Sequence, residues 1–241
     1  MSDTTPITTT RVEIDAHDGS GSFSAYVAQP QGQAAKGGIV TIQEIFGVNQ
    51  VMRDTTDHWA RQGYVAICPD LFWRQEAGVD ITDQSKAEWD KAFSLYQGFS
   101  VDKGIEDIAA TLSYLRGSLG AQTTGAVGFC LGGLLAYLTA TRTDADVAVG
   151  YYGVGIQDHL DEAAHIQKPL MLHIAEEDGF VDKAAQAKMH EHLDPHAAVT
   201  LYDYTECDHA FARPGGEHFD AEAAKLANAR TADFFAKHLG G

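Results

Sequence analysis

Gly125-Ala126-Val127-Gly128-Phe129-Cys130-Leu131-Gly132-Gly133-Leu134-Leu135-Ala136 is the stretch from which the rest of the chain is read. It opens as a strand, turns sharply over Gly128 to Gly132, and continues as an apolar helix through Tyr137 and Leu138. The glycines two positions either side of Cys130 have a steric reason. A residue lifted onto a strained strand-to-helix turn leaves no room for Cβ atoms beside it. The first turn of the helix offers unpaired backbone N–H groups and the positive end of its dipole, which would stabilise a thiolate. Two readings stand open on these residues alone. Cys130 is a nucleophile on an elbow, or it is an inert thiol buried at a tight crossing, as cysteines often are. A dinucleotide-binding turn fits less well, because that fingerprint needs glycine where Cys130 stands.

Outward from this stretch, short apolar runs alternate with helical patterns. Arg11–Ala16 and Ser22–Ala28 alternate as strands around Asp18-Gly19-Ser20-Gly21 and predict an antiparallel hairpin. Gly37–Gln43, Tyr64–Cys68, Val147–Tyr152, Lys168–Ala175 and Val199–Tyr204 read as strands. Helices are expected over 50–62, around Trp89, Phe93 and Tyr96, around Ile105, Ile108, Ala109, Leu112 and Leu115, over 183–193, and over 219–239. The Ile105–Leu115 stripe is taken as core. Leu71–Asp83 has no period and carries Phe72, Trp73 and Arg74, which suits a long loop near a site. Repeated strand–loop–helix units predict an α/β fold with a doubly wound, mainly parallel sheet behind the N-terminal hairpin, and sites at the carboxyl ends of its strands.

With 241 residues, 44% hydrophobic and 21% charged, the chain fits a single α/β domain spanning 1–241, with a polar and flexible start over 1–10. A net charge of −17 argues against nucleic acid, whose phosphates it would repel, but one local arginine can still hold a small anion. Three cysteines, Cys68, Cys130 and Cys207, show no paired spacing, so a disulfide framework is not expected and a reducing cytoplasm fits. No apolar run reaches the roughly 18–20 residues of a membrane span, and no export signal is evident. Metal-binding spacings of the C-x-x-C or H-E-x-x-H kind are absent from the sequence, so neither a metal nor a cofactor is expected.

Four loops after strand ends carry reactive groups: Glu44, Cys130, Asp178 and His209. The order nucleophile, acid, histidine is that of α/β-hydrolases. In this reading His209 takes the thiol proton, Asp178 fixes the imidazole, and the N–H groups of Leu131 and Ile45 form an oxyanion hole. Asp178 competes with Glu176, Glu177 and Asp182, any of which could instead be a loop cap. Of the 11 histidines, His190, His192 and His196 fall on polar segments and read as solvated. Cys68 reads as core, and Cys207 stays open.

Gln43-Glu44-Ile45-Phe46-Gly47, Pro69-Asp70-Leu71, Gly128-Phe129-Cys130-Leu131-Gly132-Gly133, Tyr151-Tyr152-Gly153, Glu177-Asp178 and His209-Ala210-Phe211-Ala212-Arg213-Pro214 together resemble the dienelactone hydrolase family, over nearly the whole chain. The resemblance implies an α/β-hydrolase fold and hydrolysis of an activated ester or lactone. Glu44 would match the glutamate that contacts the resting thiol and helps deprotonate it when substrate arrives. Such gating makes chemical sense, because a permanently exposed thiolate oxidises. Arg213 would bind a substrate carboxylate, and Phe46, Trp89, Phe93 and Tyr151 would contact substrate. Trp89 and Phe93 depart from the family pattern of a second arginine and, one turn later, a tyrosine. One cationic contact is thereby lost, with Arg74 a conceivable replacement.

The expected substrate is a small, anionic, activated ester or lactone, and the expected state is a monomer or weak homo-oligomer. A general esterase of the same fold is the first alternative. A thiol redox sensor or ligand-binding protein that turns over no ester is the second.

Overall fold

A computed structural model describes residues 5–240. Contacts cluster into two compact units, Met1–Gly125 and Ala126–Gly241. Eight strands form one sheet: β1 (Ile7–Asp15), β2 (Ser22–Pro30), β3 (Gly38–Ile42), β4 (Val65–Pro69), β5 (Thr124–Phe129), β6 (Val147–Tyr151), β7 (Leu170–Ala175) and β8 (Val199–Tyr204), in the order β1-β2-β4-β3-β5-β6-β7-β8.

In the first unit, β1 and β2 are the expected antiparallel hairpin, with Ile7 opposite Pro30 and Asp15 opposite Ser22. Asp18 Oδ1 accepts the Ser20 N–H at 3.0 Å and shapes the turn. The predicted flexible start needs correction. Residues 1–4 lie outside the described residues, but Ile7–Thr10 already pair with β2. An outer strand held by its backbone ladder can keep polar side chains in water, so polarity alone misled there. Next, β2 pairs antiparallel with β4, and β4 pairs parallel with β3. Every residue of β3 and β4 is buried, which is why both read as unbroken apolar runs.

Helices α1 (Gln50–Arg61), α2 (Lys86–Gly98) and α3 (Val101–Gly117) begin at side-chain caps. Asn49, Ser85 and Ser100 each accept an N–H from the first turn. Along α3, Ile105, Ile108, Leu112 and Leu115 are core as expected, joined by Asp107, whereas Ala109 is only half-buried. On α2 the buried positions are Ala92 and Leu95, whereas Phe93 and Tyr96 stay exposed, so its aromatic stripe is not core. The loop after β4 is laced by buried Asp70, whose carboxylate accepts the N–H groups of Phe72 at 3.1 Å and Gly78 at 2.6 Å.

In the second unit, β6, β7 and β8 run parallel, Ala148 opposite Leu170 and Leu170 opposite Val199. Helix α4 (Leu131–Arg142) is buried at every residue but its last, in keeping with its apolar composition on all sides. Two short 3-10 turns, Ile156–Asp158 and Leu160–His165, join β6 to β7. Helices α5 (Lys183–Leu193) and α6 (Ala221–His238) start at Asp182 and Asp220, which accept first-turn N–H groups. No helix among the described residues is long and apolar enough to cross a membrane.

Candidate active site

Cys130 sits between β5 and α4 with φ 57 and ψ −116, a left-handed backbone that a residue with a Cβ rarely adopts. Its neighbours explain how the chain tolerates this. A Cβ on Gly128 would meet the Gly132 carbonyl oxygen at 1.9 Å, so the turn closes only over glycine. The Cys130 N–H donates to the Tyr151 carbonyl at 3.1 Å, and the Cys130 carbonyl accepts from Gly133 at 2.9 Å. Leu131 is the first helical residue, and its N–H has no carbonyl one turn back within the helix.

The loops after β7 and β8 bring Asp178 and His209 together. His209 Nδ1 donates to Asp178 Oδ2 at 2.9 Å, and both side chains are almost wholly buried. That bond fixes the tautomer and leaves Nε2 as the ring nitrogen for the hydrogen bond that His209 makes with the Cys130 side chain. Burial alone would lower the His209 pKa. The Cys130 charge and the hydrogen bonds to Asp178 and Cys130 outweigh it and raise the value to about 10. Asp178 Oδ1 accepts the Phe180 N–H at 2.8 Å, so both carboxylate oxygens are engaged. Two of the competing acids, Asp182 and Glu177, have other partners. Asp182 caps α5, exposed Glu177 pairs with Lys183 at 3.1 Å, and Glu176 bonds through its backbone to Tyr204.

Arg213 is buried at 9% exposure, four residues after His209, with its N–H on the Ala210 carbonyl at 2.9 Å. Tyr151, expected as a substrate contact, is buried against α6. Its ring is 1% exposed, and its hydroxyl lies 2.6 Å from Thr231 and 3.0 Å from Asn228. The residue beside His209 is Tyr152, whose φ of 38 turns its ring edge-on to the imidazole at 5.2 Å. Exposed Phe180 meets the same imidazole edge-on at 4.8 Å.

In the first unit, Glu44 and Ile45 are buried directly after β3. Phe46, Trp89 and Phe93 form an aromatic ladder, with ring centroids 5.1 Å and then 5.4 Å apart. Arg74 cannot serve as a free cation. It pairs with buried Asp107 and with Asp18, and its guanidinium lies over the Trp73 ring. Cys68 is fully buried and burial pushes its pKa to about 12, whereas Cys207 is buried and raised for the same reason. Among the described residues no group of three or more His, Cys, Asp or Glu side chains is arranged to hold a metal.

The family model for the dienelactone hydrolase family matches residues 23–239. The chain belongs to the dienelactone hydrolase family. A protein of Azospirillum brasilense, provisionally assigned as a carboxymethylenebutenolidase, is 50% identical over 234 residues, covering 96% of this chain and 100% of that one. The carboxymethylenebutenolidase of Pseudomonas putida is 37% identical over 226 residues, covering 93% of this chain and 95% of its own. Among solved structures, a provisionally assigned dienelactone hydrolase from Klebsiella pneumoniae shares the fold with a TM-score of 0.83 at 23% identity, covering 96% and 99% of the two chains.

Within this dienelactone hydrolase family member, sequence reasoning missed four features: Tyr152, Phe180, Asp208 and His173. His173 left a signal, as the one imidazole inside the apolar run of β7. It is 1% exposed, with Nδ1 2.8 Å from the Tyr204 hydroxyl and Nε2 2.9 Å from Thr231. Burial, aided by the Arg230 charge, lowers its pKa to about 3 and keeps it neutral. The other three lie in loops whose contacts have no sequence period.

Proposed function

We propose that the protein is a Cys130-dependent hydrolase that opens enol-lactones and cleaves activated esters through an acyl-thioenzyme. The observation that carries this reading is the hydrogen-bonded run from Cys130 to His209 to Asp178, with the thiol at a strained elbow on the end of α4. The assignment of related proteins as carboxymethylenebutenolidases supports a lactone substrate.

In the proposed cycle the Cys130 sulfur attacks the lactone carbonyl carbon, and the carbonyl oxygen takes the negative charge. The Leu131 N–H stabilises that oxyanion, with Ile45 as second donor by family resemblance. His209 holds the proton taken from the thiol, and as the C–O bond breaks the imidazolium gives that proton to the expelled enolate and becomes neutral. His209 deprotonates a water, which attacks the thioester, and the thiol leaves with that proton. Asp178 holds the imidazole in the required tautomer and offsets its positive charge. Glu44 gates the thiol and Arg213 holds a substrate carboxylate, both also by resemblance. No step calls for a cofactor. An enol leaving group matters, because a thiolate is itself expelled readily and its attack on an ordinary ester reverses.

The Phe46–Trp89–Phe93 ladder favours a second reading, an esterase of the same fold that prefers larger apolar or aromatic esters. Three free thiols fit a cytoplasmic enzyme, and we assign it as a monomer or weak homo-oligomer.

Turnover of an enol-lactone and of neutral short-chain esters should vanish in Cys130→Ala with the circular dichroism spectrum unchanged. Full activity in that variant sinks the proposal. Enol-lactone turnover well above that of neutral esters selects lactone hydrolysis, and the reverse ranking selects the esterase.

A further inference from the structure

Next to the Asp178–His209 pair stands a carboxylate that the proposed cycle does not use. Asp208 precedes His209, and its side chain is 37% exposed. Its Oδ1 accepts two backbone N–H groups, from Gly179 at 3.0 Å and from His209 at 2.6 Å. These amides belong to different loops. Gly179 follows Asp178 after β7, and His209 lies in the loop after β8. A single oxygen therefore pins the backbone beside the acid to the backbone of the base. A second tie between the loops is the Glu177 N–H on the Cys207 carbonyl at 2.9 Å.

The segment that Asp208 holds needs holding. Glu206 and Ala210, on either side of Asp208 and His209, have φ of 61 and 64, left-handed values for residues that carry a Cβ. Such backbone persists only where surrounding contacts over-determine it. Burial pushes the Asp208 pKa up, but the two backbone N–H groups and the charges of His218 and His209 bring it below the usual carboxylate range. Its other oxygen lies 3.6 Å from His218 Nδ1. The charged and titratable groups facing this corner are thus His218 on Asp208, and Cys130 and Asp178 on His209.

We propose that Asp208 is a positioning residue: its carboxylate clamps Gly179 to His209 and so keeps Asp178 and the imidazole in register with Cys130. The clamp acts through His209, and the proposal rests on Cys130, Asp178 and His209 being the reacting set. Misplacement of a reacting group by about 1 Å costs on the order of a hundredfold in rate. Loss of this tie between the loops is expected to approach that scale.

Two variants separate geometry from charge. Asp208→Ala removes the acceptor, and Asp208→Asn keeps an oxygen in place without the charge. The first measurement is the pH dependence of Cys130 alkylation by iodoacetamide, followed by mass spectrometry on the Cys130 peptide, which needs no turnover. The second is kcat and KM on p-nitrophenyl acetate. Asp208→Ala should lower kcat roughly tenfold to a hundredfold with KM within about twofold, and move the alkylation profile to higher pH. Asp208→Asn should retain at least about a third of kcat and the wild-type profile. A wild-type alkylation profile and kcat in Asp208→Ala overturn the clamp, as does a loss confined to melting temperature. If Asp208→Ala does not fold, Asp208→Asn decides alone, and a tenfold fall in its kcat overturns the proposal. Failure of the hydrolase reading shows separately, as turnover that survives Cys130→Ala, while the alkylation profile still reports on the clamp.

Discussion

At His209 two opposing influences meet. Burial disfavours the imidazolium, while Cys130 and Asp178 favour it, and the pair wins by enough to lift the pKa to about 10. A group raised in this way keeps its proton throughout the neutral range and loses it only as pH rises through about 10. Replacing Asp178 by Asn removes the carboxylate that the Nδ1 proton points to. Asp178→Asn should lower kcat at least about a hundredfold, because the favoured tautomer changes, and shift the alkaline limb of the kcat/KM profile, which reports the free enzyme, to lower pH. Steady-state kinetics from pH 6 to 11 check both, and an unmoved limb would assign it to another group. At this scale the sequence was readable in the loops that follow β5, β7 and β8, each of which carries one reactive side chain that the structure brings into one hydrogen-bonded run, Cys130, Asp178 and His209. Tyr152 was not legible, because alternation along β6 cannot reveal that this residue adopts φ 38 and meets the imidazole edge-on.

Helix α5 and strand β8 have the same bounds in sequence and structure, because Asp182 announces the helix start and Val199–Tyr204 follows a clear turn. What joins them was not visible beforehand. His190 places Nδ1 3.1 Å from Asp194 and Nε2 3.0 Å from Asp203, making a brace from α5 to β8 rather than a solvated side chain. Burial lowers its pKa, but the two aspartates outweigh that and raise it. The stabilisation is therefore fully present below the unfolded value of about 6.5 and is lost as pH rises through the higher folded value. All three side chains are partly exposed, so screening keeps the brace under about 1 kcal/mol. His190→Ala should lower the melting temperature by roughly 1–3 °C at pH 5.5 and by less at pH 9. An equal loss at both pH values would assign the effect to packing. Helix α2 shows the opposite lesson. Its aromatic spacing had the helical period, yet the face that goes inward is Ala92 and Leu95, since periodicity locates a stripe without saying what covers it.

Across the molecule, 34 acidic against 17 basic side chains give a net charge of −17. An anionic lactone approaches this field uphill until it meets a local cation, whereas a neutral ester does not. Raising salt from about 20 to 200 mM shortens the Debye length from roughly 20 Å to under 10 Å. Accordingly kcat/KM for an anionic lactone should rise with salt, and that for a neutral ester should stay within about 20%. A fall for the anion would mean that the local cation outweighs the net charge. The fold class was legible over the whole chain because each α/β unit repeats its own signal, and the family match likewise runs from 23 to 239. Through-space pairings were not. Arg74 is committed to Asp107, 33 positions away, and Asp208 to Gly179, 29 positions away, and neither pairing follows a sequence period.

The backbone of Cys130 belongs to the position rather than to the thiol. Conformations of this kind cost on the order of 1–3 kcal/mol for a residue with a Cβ, and glycine escapes that cost while giving up roughly 0.5–1 kcal/mol of chain entropy. Cys130→Gly should thus melt at or above the wild-type temperature while hydrolysing nothing, and a clearly lower melting temperature by calorimetry would show that the elbow is relaxed. A breeder who selected this protein for heat tolerance alone would be drawn to the one substitution that silences it. A breeder who selected for turnover would have to accept a molecule that never reaches its own thermal ceiling.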